Sequence, residues 1–322
     1  MRRESMNYET PELKEMASYH GGRFESLKAF NSDRVIKLNP DYTVSTDNAP
    51  STLKICKAGS HLPLMGFEWE VKAPELRRAG STALCTVMDL VMNKAGFPDD
   101  LFKIEADCTV DAEAITQTFT RQWLRNSYKD FKAAYSMFER LGITTNHYDC
   151  GMHINLDLTN FGKDRDAQME NVRKMGFLIN YHYDFFKVAL HRLPVPADHE
   201  NWAPRMNANM DYWKTTEIGM FPTGHSSCCV NMGHVRQGRV EIRLVGGQRN
   251  FPCFRNTWET MFQMIDMVKK LDWEDLKDLT KVFKGCNNYV FSRLEENCLR
   301  AGVISPEAIE AIRPTVKRVQ MI

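Results

Sequence analysis

Three short stretches of this chain alternate apolar residues with residues that bind metals or anions. They are residues 66–71, 151–156 and 240–244. Successive side chains of a strand point to opposite faces, so each stretch is expected to bury its aliphatic and aromatic side chains on one side. The other side then carries carboxylate, imidazole and guanidinium groups. Three such strands in one sheet would form a floor able to hold metal ions and phosphates.

Two carboxylates of the first stretch are spaced to act together. Glu68 and Glu70 are two residues apart and therefore leave the same face of a strand. Their oxygens are hard ligands, which suit Mg²⁺ or Mn²⁺. Pairs of Glu are also common on solvated strand faces, and the pair alone favours that simpler interpretation.

The second stretch places an imidazole and an amide on one face. His153 and Asn155 share that face, and Gly151 before them permits close approach of the backbone. His147 and Asp149 add ligand-type groups just upstream. A single His is more often a hydrogen-bonded structural residue than a metal ligand, so both interpretations remain open here.

The third stretch carries Glu241 and Arg243, again two residues apart. They are either a surface ion pair, which contributes about 0–1 kcal/mol, or two parts of a phosphoryl-transfer site. In such a site the carboxylate holds a metal, and the planar guanidinium neutralises charge on the transferred group.

A further acidic set, Asp107, Asp111 and Glu113, falls in a turn and the strand after it. Acidic residues in turns are often turn formers and nothing more. Arginines that follow, Arg121 and Arg125, either hold a substrate carboxylate or are surface residues. Alone, these positions do not separate the alternatives.

The elements that position these residues change character along the chain. The hydrophobic pattern predicts strands over 64–71, 102–107, 112–120, 150–158, 227–234 and 238–244. It predicts helices over 82–94, 127–141 with Ser127 as cap, 166–193, 254–271, 273–283, 287–301 and 306–312. Strands in the middle and helices at the end indicate an α+β fold with an antiparallel sheet. The aromatic residues Phe177, Tyr181 and Phe185 are predicted to be core.

We divide the 322 residues into three parts. Residues 1–60 are a weakly organised N-terminal arm, residues 61–255 are the domain that carries the motifs, and residues 256–322 are a helical extension packed on it. A net charge of +1 gives no reason to expect a nucleic-acid partner. No apolar stretch is long enough to cross a membrane. Nine cysteines without CxxC spacing favour reduced thiols in the cytoplasm.

In their order, these motifs resemble the amidoligase branch of the glutamine synthetase superfamily of carboxylate–amine ligases, known from bacteria and phages. The Gly-x-Glu-x-Glu strand of that family is similar to residues 66–70, and its acidic turn and strand are similar to residues 107–117. Its Cys-Gly-x-His strand is similar to residues 150–153. Its last hairpin is similar to Asn231 followed by residues 240–243. The resemblance covers about residues 64–255.

The resemblance implies a curved antiparallel sheet of the glutamine synthetase catalytic-domain type, flanked by helices. It implies ATP and two or more Mg²⁺ or Mn²⁺ ions as cofactors. A small-molecule or peptide carboxylate and an amine would be the partners, joined into an amide through an acyl phosphate. No nucleic acid or membrane is expected, a homo-oligomer is compatible with it, and the location would be the cytoplasm of a bacterium or of a phage host.

The resemblance also implies roles for individual residues. Six would bind metal, and these are Glu68, Glu70, Asp107, Glu113, His153 and Glu241. Arg243 and Asn155 would contact the phosphates and take part in catalysis, and Asn231 would bind the nucleotide. Apart from the resemblance, Arg249 is expected to meet nucleotide or substrate and to take part in catalysis, because the glycines before it let its loop approach the rim of the sheet. Lys214 and Arg205 are weaker candidates from loops near the hairpin.

The chain departs from the family pattern in three places. Its acidic turn is Asp107-Cys108-Thr109 where the family has Asp-Gly-Ser, and the Arg often found just before the hairpin Asn is absent. The third departure is central. Asn155 stands where the family has a second His, and Asn cannot carry a positive charge. This keeps two alternatives to a ligase open: a non-catalytic descendant with a structural or protein-binding role, and a metal-dependent hydrolase or phosphotransferase.

Overall fold

The structure of the protein is a computed structural model that describes residues 64–78, 81–97, 101–105, 109–116, 119–194, 203–222 and 228–314. The predicted N-terminal arm and Asp107 lie outside the described residues.

The described chain combines helices with one seven-stranded antiparallel sheet, which confirms the α+β prediction. The strands are β1 (Leu64–Val71), β2 (Phe102–Glu105), β3 (Ala112–Thr116), β4 (Phe119–Thr120), β5 (Met152–Asp157), β6 (Val230–Asn231) and β7 (Arg239–Ile242). Their order across the sheet is β2-β3-β1-β5-β7-β6, and β4 pairs with the beginning of β1. The three stretches singled out in the sequence are therefore adjacent strands β1, β5 and β7.

Seven of the described α-helices lie between strands in the sequence, and four follow the last strand. They are α1 (Pro74–Arg78), α2 (Ser81–Ala95), α3 (Arg121–Asn126), α4 (Tyr128–Arg140), α5 (Arg165–Tyr181), α6 (Tyr183–Ala189), α7 (Met210–Thr215), α8 (Phe251–Val268), α9 (Leu279–Val282), α10 (Asn288–Arg293) and α11 (Pro306–Ile312). A π-helical turn, Leu294–Leu299, continues α10. None of the described helices is both long and apolar enough to span a membrane.

One face of the sheet is apolar and packs against helices. On β1, Phe67 and Trp69 are completely buried. The Phe67 ring centroid lies 5.6 Å from that of Trp258 on α8, and the Trp69 centroid lies 5.2 Å from that of Phe138 on α4. The alternation of side chains along each strand therefore leaves the other face to the polar residues.

The structure corrects three sequence predictions, which concern one helix, one core residue and one helix cap. The helix predicted over 166–193 is two helices, α5 and α6, separated at His182, whose ψ of 38° is not helical. The His182 ring nitrogen Nε2 lies 3.0 Å from the Leu276 carbonyl oxygen. This contact with a residue 94 positions away in sequence holds His182 at the break between the two helices. Tyr181, predicted to be core, is 39% exposed. Ser127 lies at the start of α4 but makes no side-chain capping bond.

Candidate metal and phosphate site

The register of the strands brings the polar residues into rows across one face of the sheet. Glu68 lies directly opposite His153, and Glu70 lies opposite Glu113. In the next row Glu241 lies between its two neighbours, Asn155 on β5 and Asn231 on β6. One face of the sheet therefore brings together every described residue that the sequence predicted as a metal ligand. It also carries both predicted amides, Asn155 and Asn231, and we call this polar face the floor.

His153 is the centre of this floor. Its Nδ1 lies 3.0 Å from Glu68 Oε2 and 3.5 Å from Glu241 Oε1, and its Nε2 lies 3.6 Å from Glu70 Oε1. Burial alone would lower the pKa of His153, but the carboxylates of Glu70 and Glu68 outweigh it and raise that pKa to about 9. At neutral pH the ring is therefore an imidazolium surrounded by carboxylates.

Three of these side chains lie close enough together that they could hold a cation. One ligand atom each of Glu68, Glu113 and His153 lies within 4.8 Å of the others. Glu113 also stands opposite Glu70, and like charges in that position destabilise a sheet unless a cation lies between them. Carboxylate oxygens with one imidazole nitrogen form a donor set that fits Mn²⁺ or Mg²⁺ once the imidazole has lost its extra proton.

Gly151 allows the carboxylate and the imidazole to approach each other. Its backbone N–H donates a short hydrogen bond to Glu70 Oε2. A Cβ at this position would lie 3.0 Å from His153 Nε2 and 3.1 Å from Glu70 Oε2, tighter than nearly all such contacts in proteins. The close approach expected of this glycine is therefore a requirement of the floor itself.

Asn155 joins two charged side chains of neighbouring strands. Its Nδ2 donates to Glu68 Oε1 at 3.2 Å, and its Oδ1 accepts a short hydrogen bond from Arg239. Asn155 is only 2% exposed. Its amide therefore orients Glu68 and Arg239 in this structure.

Glu241 and Arg243 are buried together, so the interpretation of this pair as a surface ion pair is wrong. Arg243 Nη1 donates to Glu241 Oε1 at 2.7 Å, and Asn231 Nδ2 donates to Glu241 Oε2 at 2.9 Å. Arg243 Nε is buried and has no hydrogen-bond partner in the part of the chain that the structure describes. A buried donor of this kind costs about 1–3 kcal/mol unless an acceptor reaches it.

Two arginines of the floor were not found from the sequence. Arg239 has the same strand parity as Glu241 and Arg243, so extending the alternation by two residues would have identified it. Arg192 follows α6 and has no motif around it. It is 7% exposed, its Nε lacks a hydrogen-bond partner within the described ranges, and its charge interacts with those of Glu70 and Arg243. Burial lowers the pKa of Arg192, and the Glu70 carboxylate opposes that effect.

Two candidate arginines bind elsewhere. Arg121 forms a two-pronged ion pair with Asp266 of α8, with a shortest distance of 2.9 Å. Arg125 binds Glu259 of the same helix through Nε at 3.0 Å and Nη2 at 2.6 Å. Because α8 packs on the apolar face, these arginines secure that helix to α3.

Two of the three loop candidates have other partners, and the third lines a separate cavity. Arg205 Nε donates to the Asn180 carbonyl at 2.9 Å, and the Lys214 ammonium lies 5.6 Å from the Trp273 ring centroid. Arg249 lines a cavity of about 330 Å³ between α4 and the beginning of α8.

The remaining acidic candidates act locally. Asp149 pairs with Lys72 at 3.5 Å and with His147 at 3.4 Å. Asp111 Oδ2 accepts a hydrogen bond from the Ala73 backbone at 2.7 Å. The hydrogen bond of Asp111 ties the turn before β3 to the end of β1, as expected of a turn-forming acid.

Comparison with known proteins gives no further assignment. No protein-family model matches the chain, and no curated protein matches it significantly in sequence. The fold and the floor are therefore the observations on which a function has to be argued.

Proposed function

We propose that this protein is an ATP- and divalent-metal-dependent carboxylate–amine ligase with a sheet of the glutamine synthetase catalytic type. The observation that carries the proposal is the convergence of Glu68, Glu113 and His153 within 4.8 Å, next to the buried and partly unpartnered guanidinium of Arg243. A cation site beside a free guanidinium donor suits a triphosphate, whose oxygens need both.

Each group of the floor has a distinct part in this proposal. Glu68, Glu113 and His153 would hold the cation, which neutralises phosphate charge when bound. Arg243 would donate its free Nε–H to an oxygen of the transferred phosphoryl group, while Glu241 keeps the guanidinium in place.

The reaction would proceed in two transfers. A substrate carboxylate oxygen attacks the γ-phosphorus of ATP, and ADP leaves with the electron pair of the broken P–O bond. An amine nitrogen then attacks the acyl carbon, inorganic phosphate leaves, and the nitrogen loses one proton. The products are an amide, ADP and phosphate. A reaction driven by ATP supports a cytoplasmic location.

One observation favours the alternative of a non-catalytic descendant. The imidazolium of His153 occupies the centre of the carboxylates, and Glu241 has both oxygens engaged by protein donors. A floor neutralised from within in this way is stable without a metal. On this alternative the sheet would serve as a structural or protein-binding component.

The test is product analysis with purified protein, ATP, Mn²⁺ or Mg²⁺ and pools of carboxylates and amines. The ligase predicts a product whose mass equals both substrates minus water, formed together with ADP. Glu68→Gln should abolish it, whereas Glu217→Gln, at an exposed residue that is not part of the floor, should not. ADP formed without a condensed product would identify a hydrolase or phosphotransferase. Absence of both metal binding and ADP release would identify the non-catalytic descendant.

A further inference from the structure

A second group of cationic side chains lines a cleft behind Arg192. The cleft has a volume of about 350 Å³ and lies between the segment that follows α6 and the π-helical turn. Lys187, Arg192 and Arg300 line it, and Glu296 is the one acidic side chain among its lining residues. The cations of the lining therefore exceed its carboxylates by two charges.

Two of these cations, Lys187 and Arg300, are not neutralised by the part of the chain that the structure describes. Neither Lys187 nor Arg300 forms a salt bridge with a described residue, and the nearest recorded partner of the Lys187 ammonium is the Tyr183 ring at 5.6 Å. Arg192 is more than nine-tenths buried, and its Nε has no acceptor among the described residues. A buried guanidinium donor without an acceptor indicates that a ligand supplies one.

Two further arginines, Arg293 and Arg249, carry positive charge near the wall of the cleft. His191 lies between the cleft and the sheet, and burial lowers its pKa to about 4, with the charges of Arg293 and Arg249 acting in the same direction. The His191 Nε2 faces the Asn146 amide oxygen at 3.1 Å, so its nearest recorded partner is neutral. The His191 ring is therefore uncharged at neutral pH. The positive charge of the cleft comes from its Lys and Arg side chains.

The shape of the cleft provides more than a place for one ion. Val188, Leu193 and Ala301 give it an apolar part next to the cations. Its opposite wall is the π-helical turn, a rare element that occurs frequently at functional sites. The volume is several times what a single phosphate needs, so an organic group fits beside it.

We propose that this cleft binds a small phosphomonoester. A phosphomonoester carries a charge of about −1.5 to −2 at pH 7, which matches the surplus of the lining, and Arg and Lys are the preferred donors to phosphate. The phosphate oxygens would accept from Arg192 Nε and from the side chains of Lys187 and Arg300, and the organic group would lie against Val188. This site does not depend on the proposed ligase activity, although Arg192 places it next to the carboxylate floor.

Calorimetry with glycerol 3-phosphate tests the proposal on the full chain. The protein is first passed over a chelating resin, so that neither a metal on the floor nor a soluble chelator contributes. We expect saturable binding of one molecule, and much weaker binding of acetate. Lys187→Gln and Arg300→Gln should each weaken binding about tenfold or more, because each removes a charge-assisted hydrogen bond.

Lys129→Gln is the matched control, because Lys129 is an exposed cation on α4, away from the cleft lining. It should bind as the unchanged protein does. Circular dichroism confirms that all three variants are folded. Unchanged binding in Lys187→Gln and Arg300→Gln would overturn the site, as would equal weakening in Lys129→Gln or acetate binding as tight as that of the phosphomonoester. None of these readouts involves turnover or metal, so failure here is distinct from failure of the proposed ligase.

Discussion

Glu68 and His153 face each other across β1 and β5, and His153 Nδ1 lies 3.0 Å from Glu68 Oε2. The contact joins a residue from the beginning of the described chain to one near its middle, so it exists only because the two strands pair in this register. The same register places hydrophobic partners, Phe67 and Ile154, on the opposite face. The pairing register that buries the core therefore also forms the polar floor. A shift of the register by one residue would turn the apolar side chains to the polar face and the polar side chains to the core.

Glu68→Gln should weaken binding of Mn²⁺ by about ten- to a hundredfold, the range seen when oriented metal-site groups are lost. The amide keeps the size of the side chain but removes the anionic oxygen that faces His153. Calorimetric titration with Mn²⁺ measures the effect, with Glu217→Gln as the control for loss of one exposed carboxylate. Equal affinities in all three proteins would remove Glu68 from the cation site.

Metal binding should release a proton at neutral pH. The raised pKa of His153, about 9, means that the ring is protonated in the metal-free protein, and a metal binds only the neutral imidazole. Affinity for Mn²⁺ should therefore rise with pH up to about 9 and level off above it. Titrations at pH 7.5 in buffers of different ionisation enthalpy count the protons. A count of zero would show that His153 is not a ligand.

The metal-free protein should lose stability as the pH rises. The pKa of His153 is about 9 in the folded protein and about 6.5 in an unfolded chain, so the folded state holds the proton more tightly. Its ion pairs contribute fully below pH 6.5, and that contribution disappears as the pH passes through 9. Urea denaturation between pH 6.5 and pH 9 measures the loss. His153→Gln should remove this part of the pH dependence, and an unchanged slope would contradict the assignment.

The alternation of β1 is strict enough that its bounds agree with the prediction, and the last helix, Pro306–Ile312, agrees as well because Ser305 caps it and Pro306 opens it. The alternation of side chains along each strand also predicted the face of the sheet on which Glu68 and His153 lie. Local pattern does not determine which strands become neighbours. The distances within the floor therefore had to come from the structure.

The residues that were missed show the same limit. Arg192 lies near the floor because its segment passes the loop after β7, where the Gly246 N–H donates to the Leu190 carbonyl at 3.0 Å. A Cβ on Gly246 would lie 2.7 Å from the Arg192 Cα, so only glycine permits this crossing. Such a contact between distant parts of the chain leaves no periodic signal near Arg192.

Asn155→Ala should destabilise the protein by about 1–3 kcal/mol, the usual cost of leaving a buried polar partner unsatisfied. The change removes the acceptor of the Arg239 guanidinium and the amide donor to Glu68. Urea denaturation at pH 7 measures it. Thr215→Ala, at an exposed position of α7, is the control and should have a much smaller effect. A stability equal to that of the unchanged protein would mean that the Asn155 bridge contributes nothing.

Arg243→Lys should separate a role in phosphoryl transfer from a role in neutralising Glu241. The ammonium of Lys keeps the charge beside Glu241 but lacks the Nε–H donor, which in Arg243 is buried without a partner among the residues that the structure describes. If that donor acts on the transferred group, kcat should fall by about 10²–10³, the usual effect of losing one transition-state donor, while Mn²⁺ affinity and stability stay close to those of the unchanged protein. Rates of ADP formation, measured with the Mn²⁺ titration, provide both readouts. Full activity in Arg243→Lys would show that the side chain serves only as the counter-charge of Glu241, because that is the one function the two cations share.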